Sequence, residues 1–239
     1  MEVGAEPLLA TLAERPAEAG ILLDVDGTLA PIMPRPELAR VPEPTRNELR
    51  RLVGRYGLVA CISGRTGADA ARLVGIDGPL FIGVHGLELA PEAERWRGPL
   101  HEFAATVDWP AEDKGLSVVY HYRGVEDEEA AIATLRGVAG RATDLGLEAQ
   151  FGRKVLEIRP PVPADKGTAV RALLEQHGLR RALYAGDDTT DLDAFRGLDG
   201  LDVPVRVAVA SPEGPPELTE AADIVVGSPD ELLALLRGL

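Results

Sequence analysis

Two aspartates stand one residue apart at the point where a short apolar run ends. The run Gly20–Leu23 leads directly into Asp24, and Asp26 follows ahead of a Gly27-Thr28 turn. A strand that ends in this way brings both carboxylates to the edge of a sheet, where free backbone N–H groups face the same point. The arrangement suits a hard cation and a phosphate, with Asp24 as nucleophile and Asp26 as acid/base. An ordinary Asp-Gly turn is the alternative interpretation.

A second group of carboxylates follows another apolar run, Ala182–Ala185. The next eight residues carry four aspartates, at positions 187, 188, 191 and 193. Carboxylates this close repel one another unless a cation or hydrogen bonds offset their charge, and Mg²⁺ is the ion that a few carboxylates and a phosphate hold together. We therefore predict that Asp187 joins Asp24 at a Mg²⁺ site, with Asp188 and Asp191 as supporting residues. Alternatively, Asp191 and Asp193 only stabilise the start of the next helix.

Two further segments could hold phosphate oxygens. Ser63-Gly64-Arg65 closes the apolar stretch Leu58–Ile62 and offers a hydroxyl together with N–H groups, although an ordinary strand-to-helix turn would look the same. Lys166 is one of only three lysines in the chain and begins a helical segment. Because a helix N-terminus disfavours a positive charge, we predict that Lys166 has an anionic neighbour and is not a solvated surface residue.

Short apolar runs alternate with longer helical patterns over most of the chain, which predicts parallel βαβ units. The predicted strands are 21–25, 58–62, 80–84, 182–185, 205–210 and 224–226, and the predicted helices are 7–14, 45–56, 67–74, 166–177, 190–197 and 230–237. The stretch 92–160 breaks this rhythm, with strand patterns at 117–123 and 155–159 around a helical pattern at 126–145. We therefore predict a core domain, 1–91 and 161–239, with a small α/β domain inserted at 92–160.

The composition is ordinary for a soluble globular protein, with 45% hydrophobic and 27% charged residues. The net charge of −14 argues against nucleic acid or an anionic membrane surface as partner, although a bound cation can still attract an anionic substrate. Cys61 is the one cysteine and is predicted to be a buried, unreactive thiol. No apolar run approaches the roughly 20 residues of a membrane span, and no signal peptide is recognised, so we expect a cytoplasmic protein.

The order of these motifs resembles the haloacid dehalogenase superfamily of phosphohydrolases. The sequence has Asp-x-Asp-Gly-Thr, then Ser-Gly-Arg, then lysine, then Gly-Asp-Asp-x-x-Asp. The resemblance implies a Rossmann-like parallel sheet with the site at the carboxyl ends of its strands, and it makes the inserted segment a cap domain. It also implies that Ser63 and Lys166 hold the phosphate, and that Asp24, Asp187 and the backbone carbonyl of Asp26 bind Mg²⁺.

Further motifs resemble the trehalose-6-phosphate phosphatases of that superfamily. They are Gly-x-His-Gly-x-Glu from residue 83, a lysine before His-Tyr-Arg at 121–123, and Lys-x-x-Glu-x-Arg-Pro from residue 154. The resemblance implies hydrolysis of trehalose 6-phosphate to trehalose and phosphate, in trehalose biosynthesis. It implies the following substrate-binding residues: Ser63, Gly64, Arg65, His85, Gly86, Lys114, Arg123, Glu157 and Arg159. One departure is Leu192, where the family usually carries glutamate, which puts in doubt a carboxylate role at that position alone.

Several alternatives stay open at this point. Glu157 and Arg159 would share one face of a strand and point together at a sugar, or they would form a surface ion pair. A phosphatase for sucrose 6-phosphate or mannosyl-3-phosphoglycerate would keep the core motifs and differ in the cap. A sugar phosphomutase would pass the phosphoryl group to a sugar hydroxyl, and a non-catalytic sensor would only bind the sugar phosphate. We expect a monomer.

Overall fold

The computed structural model describes residues 5–33, 38–152, 154–212 and 214–239 of the 239-residue chain. The chain divides into two compact units, Met1–Gly86 with Ala164–Leu239, and Leu87–Pro163. The first carries the motifs at Asp24, Ser63, Lys166 and Asp187, and the second is continuous in sequence. The prediction that an insertion at 92–160 acts as a cap domain that selects the substrate stays a prediction.

Strands and helices alternate in the N-terminal and C-terminal parts of the chain. The strands are β1 Ala19–Leu23, β2 Leu58–Ile62, β3 Leu80–Ile82, β4 Ala111–Asp113, β5 Val118–His121, β6 Glu148–Gly152, β7 Val155–Arg159, β8 Arg181–Gly186, β9 Val203–Val209 and β10 Ile224–Val226. The helices are α1 Ala5–Ala13, α2 Glu43–Val53, α3 Gly67–Val74, α4 Arg97–Ala104, α5 Glu128–Asp144, α6 Lys166–Gln176, α7 Asp191–Gly197, α8 Pro216–Ala221 and α9 Pro229–Leu236. Short 3-10 segments lie at Pro16–Glu18, Val84–Leu89 and Pro91–Trp96.

The first unit is built on a six-stranded parallel sheet in the order β10-β9-β8-β1-β2-β3. Residues of β1 alternate between its two faces. Ile21 and Leu23 join a core that includes Leu12 of α1, Leu49 of α2 and Leu232 of α9. On the other face Gly20 lies against Leu174 of α6. Helices therefore cover the sheet on both sides, which explains why its central strands are continuous apolar runs.

The register of the three central strands brings three chain segments to one point. Leu23 of β1 pairs with Cys61 of β2 on one side and with Ala185 of β8 on the other. Because the strands are parallel and end almost level, the residues that follow them meet at one edge of the sheet. This edge is where open α/β sheets bind their ligands. The predicted α/β fold with a parallel sheet is confirmed.

The second unit has a four-stranded antiparallel sheet in the order β4-β5-β7-β6. One face packs against α4 and α5 through a buried cluster that includes Phe103, Tyr120, Leu135, Leu156 and Ile158. The opposite face carries a row of residues in register across all four strands: Glu112, Val119, Glu157 and Gln150. Glu157 and Arg159 therefore do share the face away from the helices, as the alternation of β7 predicts.

Several strand bounds differ from the sequence prediction, and β1 covers residues 19–23 where the sequence predicts 21–25. The predicted strand 80–84 ends at Ile82, because Val84 and His85 adopt left-handed backbone with φ of 49° and 52°. Strands β4 and β6 were not predicted, because their residues are almost all exposed and give no apolar pattern. Among the described residues, no helix combines the length and the apolar character needed to cross a membrane.

Candidate active site

Asp24 is the first residue after β1, and its backbone continues the sheet. Its N–H donates to the carbonyl of Ala185 at 2.9 Å, which holds the residue against the end of β8. The side chain is only 5% exposed. The Lys166 Nζ donates to Asp24 Oδ1 at 2.8 Å. The residue expected to attack phosphorus thus lies buried at the carboxyl edge of the sheet, in contact with an ammonium.

Lys166 is placed by the start of α6. Asp165 caps this helix: its Oδ1 accepts from the Thr168 N–H at 2.7 Å, while the Thr168 hydroxyl accepts from the Asp165 N–H at 2.9 Å. The lysine side chain is 3% exposed and donates to both Asp24 and, at 2.7 Å, Asp191. Burial by itself lowers the pKa of a lysine, but these carboxylates outweigh it and raise the pKa of Lys166. The predicted anionic neighbour is confirmed, and there are two.

Asp191 lies at the centre of a hydrogen-bond network. Its Oδ1 accepts from Lys166 and, at 2.7 Å, from the Tyr184 hydroxyl, while its Oδ2 accepts from the N–H groups of Asp187 and Asp188 at 2.9 Å each. A carboxylate offers about four lone-pair sites, so these four donors saturate it. Gly186 allows this approach, since a Cβ at that position would lie 2.2 Å from the Asp191 Cγ.

Asp187 completes a buried acidic group with Asp24 and Asp191. One carboxylate oxygen from each lies within 4.8 Å of the others. The Thr28 hydroxyl donates to Asp187 Oδ1 at 3.2 Å. Gly27, with φ of 86°, is required beside it, because a Cβ there would lie 2.0 Å from Asp187 Oδ2. The turn after β1 is therefore shaped around the Asp187 carboxylate.

Burial raises the pKa of both carboxylates that face this space. It raises the pKa of Asp24 to about 7, although the Lys166 charge opposes the effect. It raises the pKa of Asp187 to about 9, with the charges of Asp24 and Asp191 adding to burial. Carboxylates that hold their protons so strongly are poorly compensated by the protein alone. A cation between them would oppose both shifts, because its charge favours the deprotonated carboxylates.

The donor set fits a hard divalent cation. Among the described residues, Asp24 Oδ2 and Asp187 Oδ2 accept no hydrogen bond, and oxygen ligands of this kind suit such an ion. Asp191 is saturated and serves the ammonium instead. The chain thus has an acidic cluster able to hold a metal ion, with Asp24 and Asp187 as the residues that would bind it.

Asp26 points to a different partner. Its two oxygens accept from Arg65 Nε at 2.6 Å and from Arg65 Nη2 at 2.7 Å, and its side chain is outside the acidic group of Asp24, Asp187 and Asp191. Arginine holds a carboxylate in this two-point manner because the geometry of its planar fork matches the two oxygens. The predicted acid/base thus has a fixed orientation. That Arg65 also contacts substrate stays a prediction.

The Ser63–Arg65 turn is fastened to the turn that follows β3. The N–H groups of Val84 and His85 donate to the carbonyls of Arg65 and Ser63 at 2.8 and 2.9 Å. The His85 ring lies over Gly64, where a Cβ would be 2.7 Å from it. Gly86, with φ of 102°, lies against the carbonyl of Asp165 in the same way. These contacts hold the Ser63 turn, the His85-Gly86 turn and the start of α6 in fixed positions relative to one another.

The other predicted sugar-side residues belong to the second unit. Lys114 and Glu157 are partly buried, and Arg123 is exposed. The Nε of Arg159 lies 3.7 Å from Oε2 of Glu148. Glu157 Oε1 is buried and has no hydrogen-bond partner among the described residues. An acceptor in that state is costly unless a ligand or water supplies a donor. The roles of these residues in binding stay predictions.

Sequence reasoning missed Tyr184 and understated Asp191. Tyr184 lies within an apolar strand and was counted as core, whereas its hydroxyl donates to Asp191. One signal was available: a tyrosine buried in a central strand usually places its hydroxyl on a polar partner. Asp188 is exposed and donates its N–H to Asp191 Oδ2. Its role as a supporting residue stays a prediction.

A parallel sheet with buried carboxylates at its carboxyl edge is an arrangement that the haloacid dehalogenase-like hydrolases share, and this chain has their fold. One of these, from Bacteroides thetaiotaomicron, superposes over 92% of this chain and 98% of its own, with a TM-score of 0.62 at 17% identity. The C-terminal domain of a C. albicans trehalose-6-phosphate phosphatase superposes over 97% of this chain and 95% of its own, with a TM-score of 0.72 at 22% identity. These similarities establish the fold.

Sequence comparison narrows the class to a family. The model of the trehalose-phosphatase family matches residues 22–110 and 100–214. The chain belongs to the trehalose-phosphatase family. It is 31% identical to a trehalose 6-phosphate phosphatase of Zea mays, covering 98% of this chain and 72% of that protein. It is 36% identical to an uncharacterized glycosyl hydrolase of Mycobacterium tuberculosis, covering 80% of this chain. The chain spans 16% of the length of that relative and 54% of a Mycobacterium marinum trehalose-phosphate phosphatase.

Proposed function

We propose that this chain hydrolyses trehalose 6-phosphate to trehalose and inorganic phosphate, in trehalose biosynthesis, through a phosphoryl group carried on Asp24. The observation that carries the proposal is the buried trio of Asp24, Lys166 and Asp187. It combines a carboxylate with a free oxygen, an ammonium at 2.8 Å from that carboxylate, and a second carboxylate able to share a cation. An anionic nucleophile can approach an anionic substrate only where positive charge of this kind neutralises the phosphate.

In the first step an oxygen of Asp24 attacks phosphorus, and the bond between phosphorus and the sugar oxygen breaks. Lys166 binds the phosphoryl oxygens, and the Ser63 hydroxyl and turn N–H groups orient them. Asp26 gives its proton to the departing sugar oxygen. Asp24, Asp187 and the backbone carbonyl of Asp26 would hold Mg²⁺, which would supply further neutralisation of phosphate charge. Two hydrogen bonds from Arg65 hold the Asp26 carboxyl in one orientation.

In the second step water attacks the phosphoryl group on Asp24. Asp26 accepts a proton from that water, the bond from Asp24 to phosphorus breaks, and phosphate leaves. Asp26 thus serves as acid in the first step and as base in the second. One residue can do both because the attacking water takes the position that the sugar oxygen has left. Over the two steps, one water is consumed, and a sugar hydroxyl and a phosphate are produced.

The sugar side of the proposal rests on the second unit. The unpartnered Oε1 of Glu157 suits a sugar hydroxyl as donor, and Arg159 lies on the same face of β7. The full set proposed for substrate binding is Ser63, Gly64, Arg65, His85, Gly86, Lys114, Arg123, Glu157 and Arg159. The relatives' names as trehalose-phosphate phosphatases support the choice of disaccharide. A cytoplasmic location and a monomeric state stay predictions from the sequence.

The test is phosphate release from a panel of sugar phosphates, with Mg²⁺ and with a chelator. We expect release from trehalose 6-phosphate that depends on Mg²⁺ and is lost in Asp24→Asn, with mass spectrometry to exclude conversion back to aspartate. Asp193→Asn is the matched control, because Asp193 pairs with Arg196 outside the acidic group. Wild-type turnover in Asp24→Asn would refute the mechanism.

The same panel separates the alternatives. Equal rates on unrelated phosphomonoesters would refute the choice of trehalose 6-phosphate and leave the phosphatase proposal standing. Faster release from sucrose 6-phosphate or mannosyl-3-phosphoglycerate would move the substrate to that compound. A phosphoryl group that moves to another hydroxyl, without steady release of phosphate, would indicate a phosphomutase. No turnover of any sugar phosphate would leave only a binding protein.

A further inference from the structure

Tyr184 is fully buried in the middle of the sheet, yet it reaches the candidate site through one atom. It lies in β8, three residues before Asp187, and its side chain is 0% exposed. Its ring meets Phe195 of α7 edge to face, with centroids 6.2 Å apart and planes at 82°. Its hydroxyl donates to Asp191 Oδ1 at 2.7 Å. The ring is therefore held by packing, and the hydroxyl has a fixed position.

Asp191 Oδ1 is the atom that Tyr184 and Lys166 share. The lysine ammonium donates to this oxygen at 2.7 Å and to Asp24 Oδ1 at 2.8 Å. The other oxygen of Asp191 is held by two backbone N–H groups. The position of the Lys166 ammonium thus depends on the position of Asp191 Oδ1. It also depends on whether a second donor shares that oxygen and weakens its attraction for the ammonium.

We propose that Tyr184 is a positioning residue for Lys166. Its hydroxyl holds Asp191 Oδ1 in place and takes part of its hydrogen-bonding capacity, so the ammonium stays between Asp191 and Asp24, where a phosphoryl oxygen can reach it. Among the described residues, the Tyr184 hydroxyl donates to Asp191 and not to Asp24 or Asp187, the two carboxylates that would bind the metal. This inference rests on the proposed function, in which Lys166 binds phosphate.

Removal of the hydroxyl has a defined physical consequence. Without it, Asp191 Oδ1 keeps Lys166 as its one side-chain donor, and the buried negative charge draws the ammonium more strongly. The ammonium then lies closer to Asp191 and is less available to the phosphate. Asp24 Oδ2 and Asp187 Oδ2 accept none of these hydrogen bonds, so we expect metal binding to change less than phosphate binding.

The experiment compares two tyrosines that are equally buried but differently bonded. Tyr184→Phe removes the hydroxyl that Asp191 accepts and keeps the ring against Phe195. Tyr120→Phe is the matched control, because Tyr120 is also 0% exposed and its hydroxyl has no hydrogen-bond partner among the described residues. For each variant we would measure the melting temperature, kcat/KM on trehalose 6-phosphate, half-saturating Mg²⁺, and the Kd of inorganic phosphate by calorimetry with Mg²⁺ present.

For Tyr184→Phe we expect kcat/KM to fall about ten-fold and the phosphate Kd to rise by a similar factor, since a hydrogen bond to a charged group has this order of effect. The Mg²⁺ concentration that gives half of the maximal rate should stay within about two-fold of the wild-type value. A change of that size is well below the ten-fold change that one pK unit represents. Tyr120→Phe should change neither kcat/KM nor phosphate binding. A purely structural role for Tyr184 would lower the melting temperature alone, and that result would overturn the proposal.

The phosphate titration keeps this test separate from the proposed function. If wild type binds phosphate but hydrolyses no sugar phosphate, the function is refuted, and the Tyr184 proposal is then decided by the change in phosphate Kd. If wild type neither hydrolyses a sugar phosphate nor binds phosphate, both proposals are refuted. If Tyr184→Phe does not fold, Tyr184→Met serves in its place: it also lacks the hydroxyl, and its flexible side chain fills irregular space.

Discussion

Arg65 holds the Asp26 carboxylate by two hydrogen bonds of 2.6 and 2.7 Å, although 39 residues separate them in sequence. Arg65 comes from the turn after β2, and Asp26 from the turn after β1. The pair therefore ties together the ends of two adjacent strands. Under the proposed mechanism it also fixes the group that gives and takes the proton.

Replacement of Arg65 by lysine tests this relationship. Lysine keeps the charge but lacks the fork that holds both oxygens, so we expect Arg65→Lys to lower kcat about 10- to 100-fold, within the range of acid–base catalysis. Arg180→Lys is the control, because Arg180 makes a similar pair with Asp202 on the exposed surface. Steady-state kinetics on trehalose 6-phosphate checks the difference. Equal kcat in both variants would contradict a role for the orientation of Asp26.

Gly27 and Gly146 provide a matched pair of glycine substitutions. Both have left-handed backbone, with φ of 86° and 78°, but only Gly27 has a neighbour within reach of an added Cβ. Alanine at either position should cost about 1–2 kcal/mol of unfolding free energy from backbone strain. Gly27→Ala should also displace the Asp187 carboxylate and lower Mg²⁺-dependent turnover about 100-fold. Gly146→Ala should keep wild-type turnover; a similar loss in both variants would exclude a specific effect on Asp187.

The stability of the metal-free protein should fall as pH rises above the ordinary pKa of aspartate. The folded-state pKa is about 7 for Asp24 and about 9 for Asp187, above the ordinary 3.8, because both are buried. The folded chain therefore binds protons that the unfolded chain has lost, and their stabilising contribution disappears as pH rises through these values. Melting curves in chelator from pH 5 to pH 9 would show it. The predicted fall should be smaller in Asp187→Asn.

Added Mg²⁺ should have the opposite pH dependence. The ion requires both carboxylates without protons, so protons compete with it at low pH. The rise in melting temperature on adding Mg²⁺ should therefore grow from pH 6 to pH 9, with proton release that calorimetry in buffers of different ionisation enthalpy can measure. A rise that is constant with pH would contradict the assignment of Asp24 and Asp187 as the ligands.

Cys61 offers a probe of unfolding. Burial raises the pKa of its thiol to about 12, and the charge of Asp24 adds to the effect. The thiolate is the reactive form, so native protein at pH 8 should not react with a disulfide reagent over the time in which denatured protein reacts fully. Because the chain has one cysteine, complete reaction corresponds to one thiol per molecule. Rapid reaction of native protein would contradict the buried position.

The elements that the sequence predicted best carry a clear local apolar pattern, which is continuous in β2 and has helical spacing in α3. The predicted strands at 58–62 and 224–226 and the predicted helix at 67–74 coincide with β2, β10 and α3. A strand covered by helices on both faces is a continuous apolar run, which is easy to recognise. Strands β4 and β6 lie at the edges of the smaller sheet and expose nearly all of their side chains. Each pairs with the next strand along the chain, β4 with β5 and β6 with β7, but exposed residues give no apolar pattern that marks a strand.

The residues that could do chemistry were also recognisable, because each stands at the end of an apolar run. The sequence determined that Asp24, Ser63 and Asp187 would meet at one edge, since parallel strands share their carboxyl ends. It paired Asp187 with Asp24 but did not assign the partners of Lys166 and Arg65. Lys166 is 142 residues from Asp24 along the chain, and Arg65 could equally have faced a phosphate or a carboxylate. Partners of buried polar groups are set by how distant elements pack.

The sequence by itself thus determined the kinds of groups present and the edge of the sheet at which they lie. Only the tertiary structure decided that Asp191 is saturated by four donors and serves Lys166, and that Tyr184 is one of those donors. The physical reason is that the spacing of apolar residues indicates secondary structure and which side of an element is buried. The direction of a hydrogen bond depends on packing in three dimensions, here of α6 against α7 and of α7 against β8.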